Sequence, residues 1–181
     1  MANYVLLQLS GLDRPGIVAE VTRVLFETGC NIEDSSMTRL SGQFTIMLVL
    51  SPPHAQICAE LEAKLKPVVA RFALAHLITE LSAAQVEDTQ PADEEESFLI
   101  NVLGADKPGI VYHVTQLLAD KAVNIVDMHT HTGGAVGRPI YIINIEVEGV
   151  KQPEALRTAL KELAAQLQVE ISLRAGDVFE L

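Results

Sequence analysis

The chain has 181 residues, enough for one ordinary domain or two small ones, and 49% of them are hydrophobic, which supplies material for real cores. A formal net charge of −11 opposes a phosphate backbone, whose binding rests on clustered Lys and Arg, so the composition argues against direct nucleic-acid binding. No run of ~18 uninterrupted apolar residues is present to cross a membrane, and Cys30 and Cys58 supply neither a disulfide framework nor a CxxC metal pair.

The N-terminal MANYVLLQLSGLDRPG lacks the basic segment and small-residue cleavage pattern of a signal peptide, so the expectation is a soluble, cytoplasmic protein. NYVLLQLS (3–10) is a short apolar run ending at a Gly-containing turn, as a buried strand should. A helix follows, with Pro15 suited to its first position because the missing N–H would be unpaired there, and with apolar residues at 17, 18, 21, 24 and 25 forming one buried stripe. Gly29 fits the left-handed residue just past its end. NIEDSSMTRL and QFTIMLVL read as two strands joined at Ser41-Gly42, a hairpin signal. A second helix starts after Pro52-Pro53, with apolar residues at 57, 61, 65, 68 and 69, and FALAHLITEL reads as a final strand.

SAAQVEDTQPADEEES (82–97), rich in acids and poor in aromatics, then reads as a solvated linker rather than a packed element. Beyond it the order repeats. Sliding the chain by 93 positions superposes 11–34 on 104–127 with twelve identities in 24 positions, among them Gly11/Gly104, Asp13/Asp106, Pro15/Pro108, Gly16/Gly109, Ile17/Ile110, Asn31/Asn124 and Ile32/Ile125. SFLINVLG is the strand and 110–118 the helix; its end carries Ala122 where the first copy has Gly29, which predicts a different termination. NIVDMHTHT and PIYIINIEV follow, joined by GGAVGR (133–138), a longer connection expected to be mobile; a helix after Gln152-Pro153 and the strand VEISLRAG close the copy.

Strand, helix, strand, strand, helix, strand on ~80 residues is the split βαβ, ferredoxin-like order: an α+β fold with two helices on one face of a four-stranded antiparallel sheet. Occurring twice, it divides the chain into domain 1 (1–86), an acidic linker (87–96) and domain 2 (97–181). Exposed sheet edges and the second sheet face need covering, by the two halves or by a second chain, so a homo-oligomer is expected.

The repeated turn also suits a ligand. A helix N-terminus leaves amides unpaired beside a partial positive charge, which stabilises a docked carboxylate, and Gly16 and Gly109 carry no side chain to obstruct it. Asp13 and Asp106 can cap the same amides or face an ammonium, while Asn31 and Asn124 offer an acceptor and two donors to a zwitterion. D-x-P-G is equally good chemistry for any strand-to-helix corner, so turn geometry alone also accounts for it. Asp127, His129 and His131 alternate along one strand face and present either a polar stripe or a metal-ligand set, of which the stripe is preferred; the expectation is no metal and no cofactor. Nucleophile elbows, zincin helices, P-loops and dinucleotide fingerprints are absent, so no catalytic role is expected.

Two units with G-x-D-[RK]-P-G-I-V at the first strand-to-helix turn and Asn-Ile opening the second strand resemble tandem ACT domains, small regulatory modules that bind amino acids. The phrase GCNIEDS, the two-domain length and the lack of an appended catalytic domain resemble the glycine cleavage system transcriptional repressors. The resemblance implies an amino-acid site between the turn of one domain and the Asn-bearing strand of a neighbour, formed by Asp13, Gly16, Ile17, Asn31, Ile32, Asp106, Gly109, Ile110, Asn124 and Ile125. It implies a non-enzymatic sensor with glycine as ligand and a DNA-binding activator protein, a transcription factor, as partner; the alternative is a free-standing regulatory subunit of an amino-acid metabolic enzyme.

Overall fold

The protein's computed structural model describes residues 3–54, 56–87, 96–135 and 138–176. The chain divides into two compact units, Met1–Gln90 and Pro91–Leu181. Unit 1 contains β1 (Asn3–Leu12), α1 (Ile17–Glu27), β2 (Asn31–Leu40), β3 (Gln43–Ser51), α2 (Ile57–Phe72), β4 (Ala75–Ser82) and the short α3 (Ala83–Glu87). Unit 2 contains β5 (Phe98–Ala105), α4 (Ile110–Asp120), β6 (Asn124–Ala135), β7 (Arg138–Glu148), α5 (Pro153–Leu167) and β8 (Glu170–Ala175). Each unit is a four-stranded antiparallel sheet, ordered β2-β3-β1-β4 and β6-β7-β5-β8, so both are α+β, ferredoxin-like.

Alternation decides which sheet face is buried. Val5, Leu7 and Leu9 of β1 and Phe44, Ile46, Leu48 and Leu50 of β3 share a face with period two. They meet Ile17, Val21 and Leu25 of α1 and Ile57, Leu61 and Leu65 of α2, spaced three or four apart on the helices. Unit 2 repeats this with Ile100, Val102, Ile143 and Ile145 against Val114, Leu118, Leu156 and Leu160. Each such side chain contributes about 1.5–3 kcal/mol by leaving water. The buried Thr28 hydroxyl donates to the Val24 and Leu25 carbonyls at 2.9 Å, so its burial leaves no unpaired group. Among the described residues no helix is long and apolar enough to cross a membrane.

Several local expectations change. The helices start at Ile17 and Ile110, not at the prolines; Gly16 and Gly109 are left-handed, with φ of 95° and 97°. The Ile17 amide reaches the Arg14 carbonyl at 3.5 Å, so Arg14-Pro15-Gly16-Ile17 has the signature of a type II turn, Pro at its second position and Gly at its third. Ala122 terminates α4 as Gly29 terminates α1: it takes φ of 54°, and the Ala122 and Val123 amides donate to the Ala119 and Leu118 carbonyls. Two satisfied carbonyls outweigh the strain of a side chain in that region.

The expected final strand of unit 1 begins three residues later, because Phe72 ends α2 and Ala73 and Leu74 form its cap. The start of the expected linker is α3, packed beside β4, where Gln85 Oε1 accepts from the Ser82 amide and hydroxyl; 88–95 lies outside the described residues. Across 133–138, β6 and β7 stay paired to Ala135 and Arg138, so the strands extend further into this connection than expected, and 136–137 lies outside the described residues. The β2–β3 hairpin turns at Ser41 and Gly42, both at positive φ, as a two-residue connection requires.

Candidate functional site

The two turns present similar backbone and different surroundings. Neither helix has a side-chain cap, so Asp13 and Asp106 leave the first amides of α1 and α4 free of that partner. Ile17 and Ile110 are 1% and 2% exposed; their side chains belong to the cores, and only their backbone can meet a ligand. A methyl group added at Gly16 would lie 3.8 Å from Phe72 and one at Gly109 3.6 Å from His113, ordinary contacts, so backbone conformation rather than crowding demands glycine there. Gly11 and Gly104 answer to the opposite reason: a methyl would stand 2.8 Å from Leu74 Cδ2 or 2.5 Å from Val169 Cγ1.

In unit 1 the turn is occupied by its own charges. Arg39 Nη1 donates to Asp13 Oδ2 at 3.4 Å, and the Asp13 amide donates to the Gly42 carbonyl at 2.9 Å. The first turn of α1 carries Glu20, bonded to Arg23 at 2.8 Å and to Arg71 at 3.3 Å. The Arg23 hydrogen bond, its charge and the charge of Arg71 hold the Glu20 carboxyl below its ordinary range. The first turn of α1 therefore holds a carboxylate paired with two guanidinium groups.

Unit 2 has no acid in the first turn of α4. His113 stands where unit 1 has Glu20, its ring beside Gly109 and edge-on to Tyr112 at 5.2 Å between centroids. Asp106 is exposed and has no side-chain partner among the described residues; neighbouring Lys107 Nζ donates to Gln168 Oε1 at 2.9 Å. The α4 turn thus has an uncapped helix start with an imidazole beside Gly109, and an exposed carboxylate three residues before that glycine. Sequence reasoning passed over His113, although its mismatch with Glu20 stands in the superposed repeats.

Asn31 and Asn124 are not brought to these turns within their own units. Leu12 pairs with Gln43 and Asn31 with Ser51, so eight residues of β3, roughly 26 Å, separate the two ends of the sheet. Unit 2 has the same layout, with Ala105 opposite Ile140 and Asn124 opposite Glu148. Each Asn-Ile pair precedes a β-bulge, between Ile32 and Asp34 and between Ile125 and Asp127. Asn31 Nδ2 donates to Glu33, the bulged residue, at 3.0 Å. Ile32 is 39% exposed, whereas Ile125 packs partly against the core.

Asp127, His129 and His131 do share one face of β6, where His129 Nε2 lies 3.1 Å from Asp127 Oδ2. Among the described residues no three His, Cys, Asp or Glu side chains group as a metal site.

The described geometry defines a protein of two ferredoxin-like βαββαβ domains in one chain, each with an uncapped helix after a left-handed glycine. Residues 3–79 and 98–165 each match a family model described as an ACT domain. The chain belongs to the ACT-domain family and carries two such domains in tandem. It is 27% identical over 175 residues to the glycine cleavage system transcriptional repressor of Escherichia coli, covering 94% of this chain and 89% of that protein. A UPF0237 protein of Methanococcus maripaludis is 33% identical over 85 residues, 47% of this chain and 93% of that protein. A crystal structure described as a putative glycine cleavage system transcriptional repressor superposes with a TM-score of 0.73 at 21% identity, over 97% of this chain and 98% of that one, and shares the fold.

Proposed function

We propose that this protein is a non-enzymatic, amino-acid-sensing regulator that controls transcription of glycine cleavage genes indirectly, by binding a DNA-binding activator protein. The observation that carries the reading is the near full-length similarity to a repressor of that name. The net charge of −11 favours a protein partner over DNA. Glycine is the proposed ligand. Its carboxylate docks on the free amides of a helix N-terminus and its ammonium faces an aspartate, with an asparagine-bearing strand from a different copy of the fold completing the shell. Ligand bound in this way favours one domain arrangement, and the activator binds the arrangements unequally.

Of the two turns, the one at Asp106, Gly109 and Ile110 is the better carboxylate site, because Glu20 places an anion at its counterpart. Thermal-shift and calorimetric titration with the common amino acids tests this. A ligand at a hundredfold excess over its Kd raises stability by about 2.7 kcal/mol. Glycine stabilises the wild type, and Asn31→Ala and Asn124→Ala locate the asparagine contribution. His113→Glu, reproducing the unit 1 anion, weakens binding at least tenfold, about 1.4 kcal/mol, while Glu20→Gln leaves it intact. No stabilisation by any amino acid at millimolar concentration refutes the sensor reading, and affinity capture of a metabolic enzyme instead of a transcription factor refutes the partner.

A further inference from the structure

One corner of the fold is built differently in the two units, away from both glycine turns. In unit 2 a hollow of about 260 Å³ lies between the end of α4 and the start of α5. Its floor is Val123 and Leu156, 9% and 1% exposed, with Val150 and Ala155 beside them, and its rim carries Lys121 and Lys151.

Unit 1 has filled the corresponding corner. The repeat places Thr28 where unit 2 has Lys121 and Cys30 where it has Val123, and the buried Thr28 turns its hydroxyl onto the Val24 and Leu25 carbonyls. Pro53 lies against Gly29, 3.6 Å from where a methyl group there would stand. Counted back from the helix ends at Phe72 and Leu167, Gln152 takes the place of Ile57, which is 1% exposed and part of the unit 1 core. An exposed glutamine in place of a buried isoleucine, and a lysine in place of a buried threonine, leave the unit 2 corner open and positively charged.

Those charges are uncommitted. Among the described residues neither Lys121 nor Lys151 has a side-chain partner, and no carboxylate lines the hollow. The nearby acids are engaged elsewhere: Asp120 Oδ1 accepts from Gln116 at 2.8 Å, and Glu154 lies 3.5 Å from Arg157 Nε. Two ammonium groups above an apolar floor select an anion with a hydrocarbon part and disfavour a zwitterion, whose own ammonium meets only like charge.

We propose that this hollow binds a small branched aliphatic carboxylate that carries no amino group. Its carboxylate sits between Lys121 and Lys151 and its methyl groups rest on Val123 and Leu156. The volume falls just under the ~300–1,000 Å³ of drug-sized sites, which limits the occupant to a short chain. The site lies the length of α4, roughly 16 Å, from Gly109, so it is separate from the α4 turn and independent of the glycine reading.

Titration of the full chain with isovalerate, followed by amide NMR at low ionic strength, tests the proposal. Saturable shifts are expected at Val123, Val150 and Lys151 at millimolar concentrations, rather than at Gly109. Lys121→Gln and Lys151→Gln, at exposed positions that folding tolerates, each weaken binding about fivefold, and Ala155→Phe abolishes it by filling the hollow. Valine, which is isovalerate with an added ammonium, and isovaleramide, which has no charge, each bind about tenfold more weakly. No saturable shift, shifts confined to other surfaces, binding unchanged in both lysine variants, or valine binding as tightly as isovalerate overturns it. None of these outcomes depends on whether glycine binds at the α4 turn.

Discussion

Gly104→Ala separates the glycine the fold requires from the glycine the turn requires. The added methyl would stand 2.5 Å from Val169 Cγ1, 3.0 Å from its Cβ and 3.3 Å from its Cα. Rotating Val169 moves the first atom only. The Val169 backbone is held by its amide donating to the Ala164 carbonyl at 3.1 Å, and β8 begins at the next residue. Overpacking of this kind costs about 1–3 kcal/mol, and the pinned backbone places the expected loss at about 2–3 kcal/mol. For a domain of this size that lowers Tm by roughly 10–20 °C. Gly109→Ala meets nothing closer than 3.6 Å and pays only for a left-handed backbone, about 1–2 kcal/mol. Guanidinium denaturation followed by circular dichroism measures both, with an unchanged m value confirming that stability and not the unfolded state has moved. Val169→Ala in the Gly104→Ala background should recover part of the loss, because Cγ1 is the closest atom. A Gly104→Ala loss below about 0.5 kcal/mol, or no recovery in the double variant, refutes the close-approach argument.

Three further outcomes follow from local structure. Ala122→Gly relieves a left-handed alanine at a cost in unfolded-chain entropy, so it should stabilise by roughly 0.5–1 kcal/mol in the same assay, and destabilisation would contradict the cap geometry. The Glu20 carboxyl is held below its ordinary 4.5 by the Arg23 hydrogen bond, then by the charges of Arg23 and Arg71. A depressed folded value means that the stabilisation is present above the unfolded pKa and is lost as pH falls through the folded one. Melting curves of wild type and Glu20→Gln should therefore differ at neutral pH and converge below about pH 4.5. Burial, then the neighbouring Glu80 carboxylate and Cys30, push the Cys58 thiol up, so iodoacetamide should label Cys58 more slowly in the native protein than after unfolding, and equal rates would contradict its placement.

Much of the molecule was legible because its signals are local. The 93-residue repeat, the period-two strands and the helical stripes at 17, 21, 24 and 25 follow from residue order alone, and Ser41-Gly42 turns where its chemistry says it should. Illegible features were those in which several partners compete. The Pro-Gly pair suits either a first helical turn or a type II turn, and the left-handed Gly16 shows which prevails. Ala122 adopts a conformation its type disfavours because two helix-end carbonyls need donors. Gly133, Gly134, Ala135 and Arg138 of the expected connection belong to the strands instead, because β6 and β7 remain paired that far. At the candidate site the residue types were visible, but the partners of Asp13 and Glu20 were not.

By itself the amino-acid order determined two copies of a βαββαβ domain, a glycine at each strand-to-helix corner and a net charge of −11. These depend on neighbours within a few residues or on composition. Tertiary structure decided that each corner lies at the opposite end of its sheet from the asparagine of the same unit, and that Glu20 pairs with both Arg23 and Arg71 while the His113 ring lies beside Gly109. Strand register, formed between segments far apart in the chain, sets which side chains share a face and which end of a sheet they occupy, and a single-residue slip or bulge reverses the assignment.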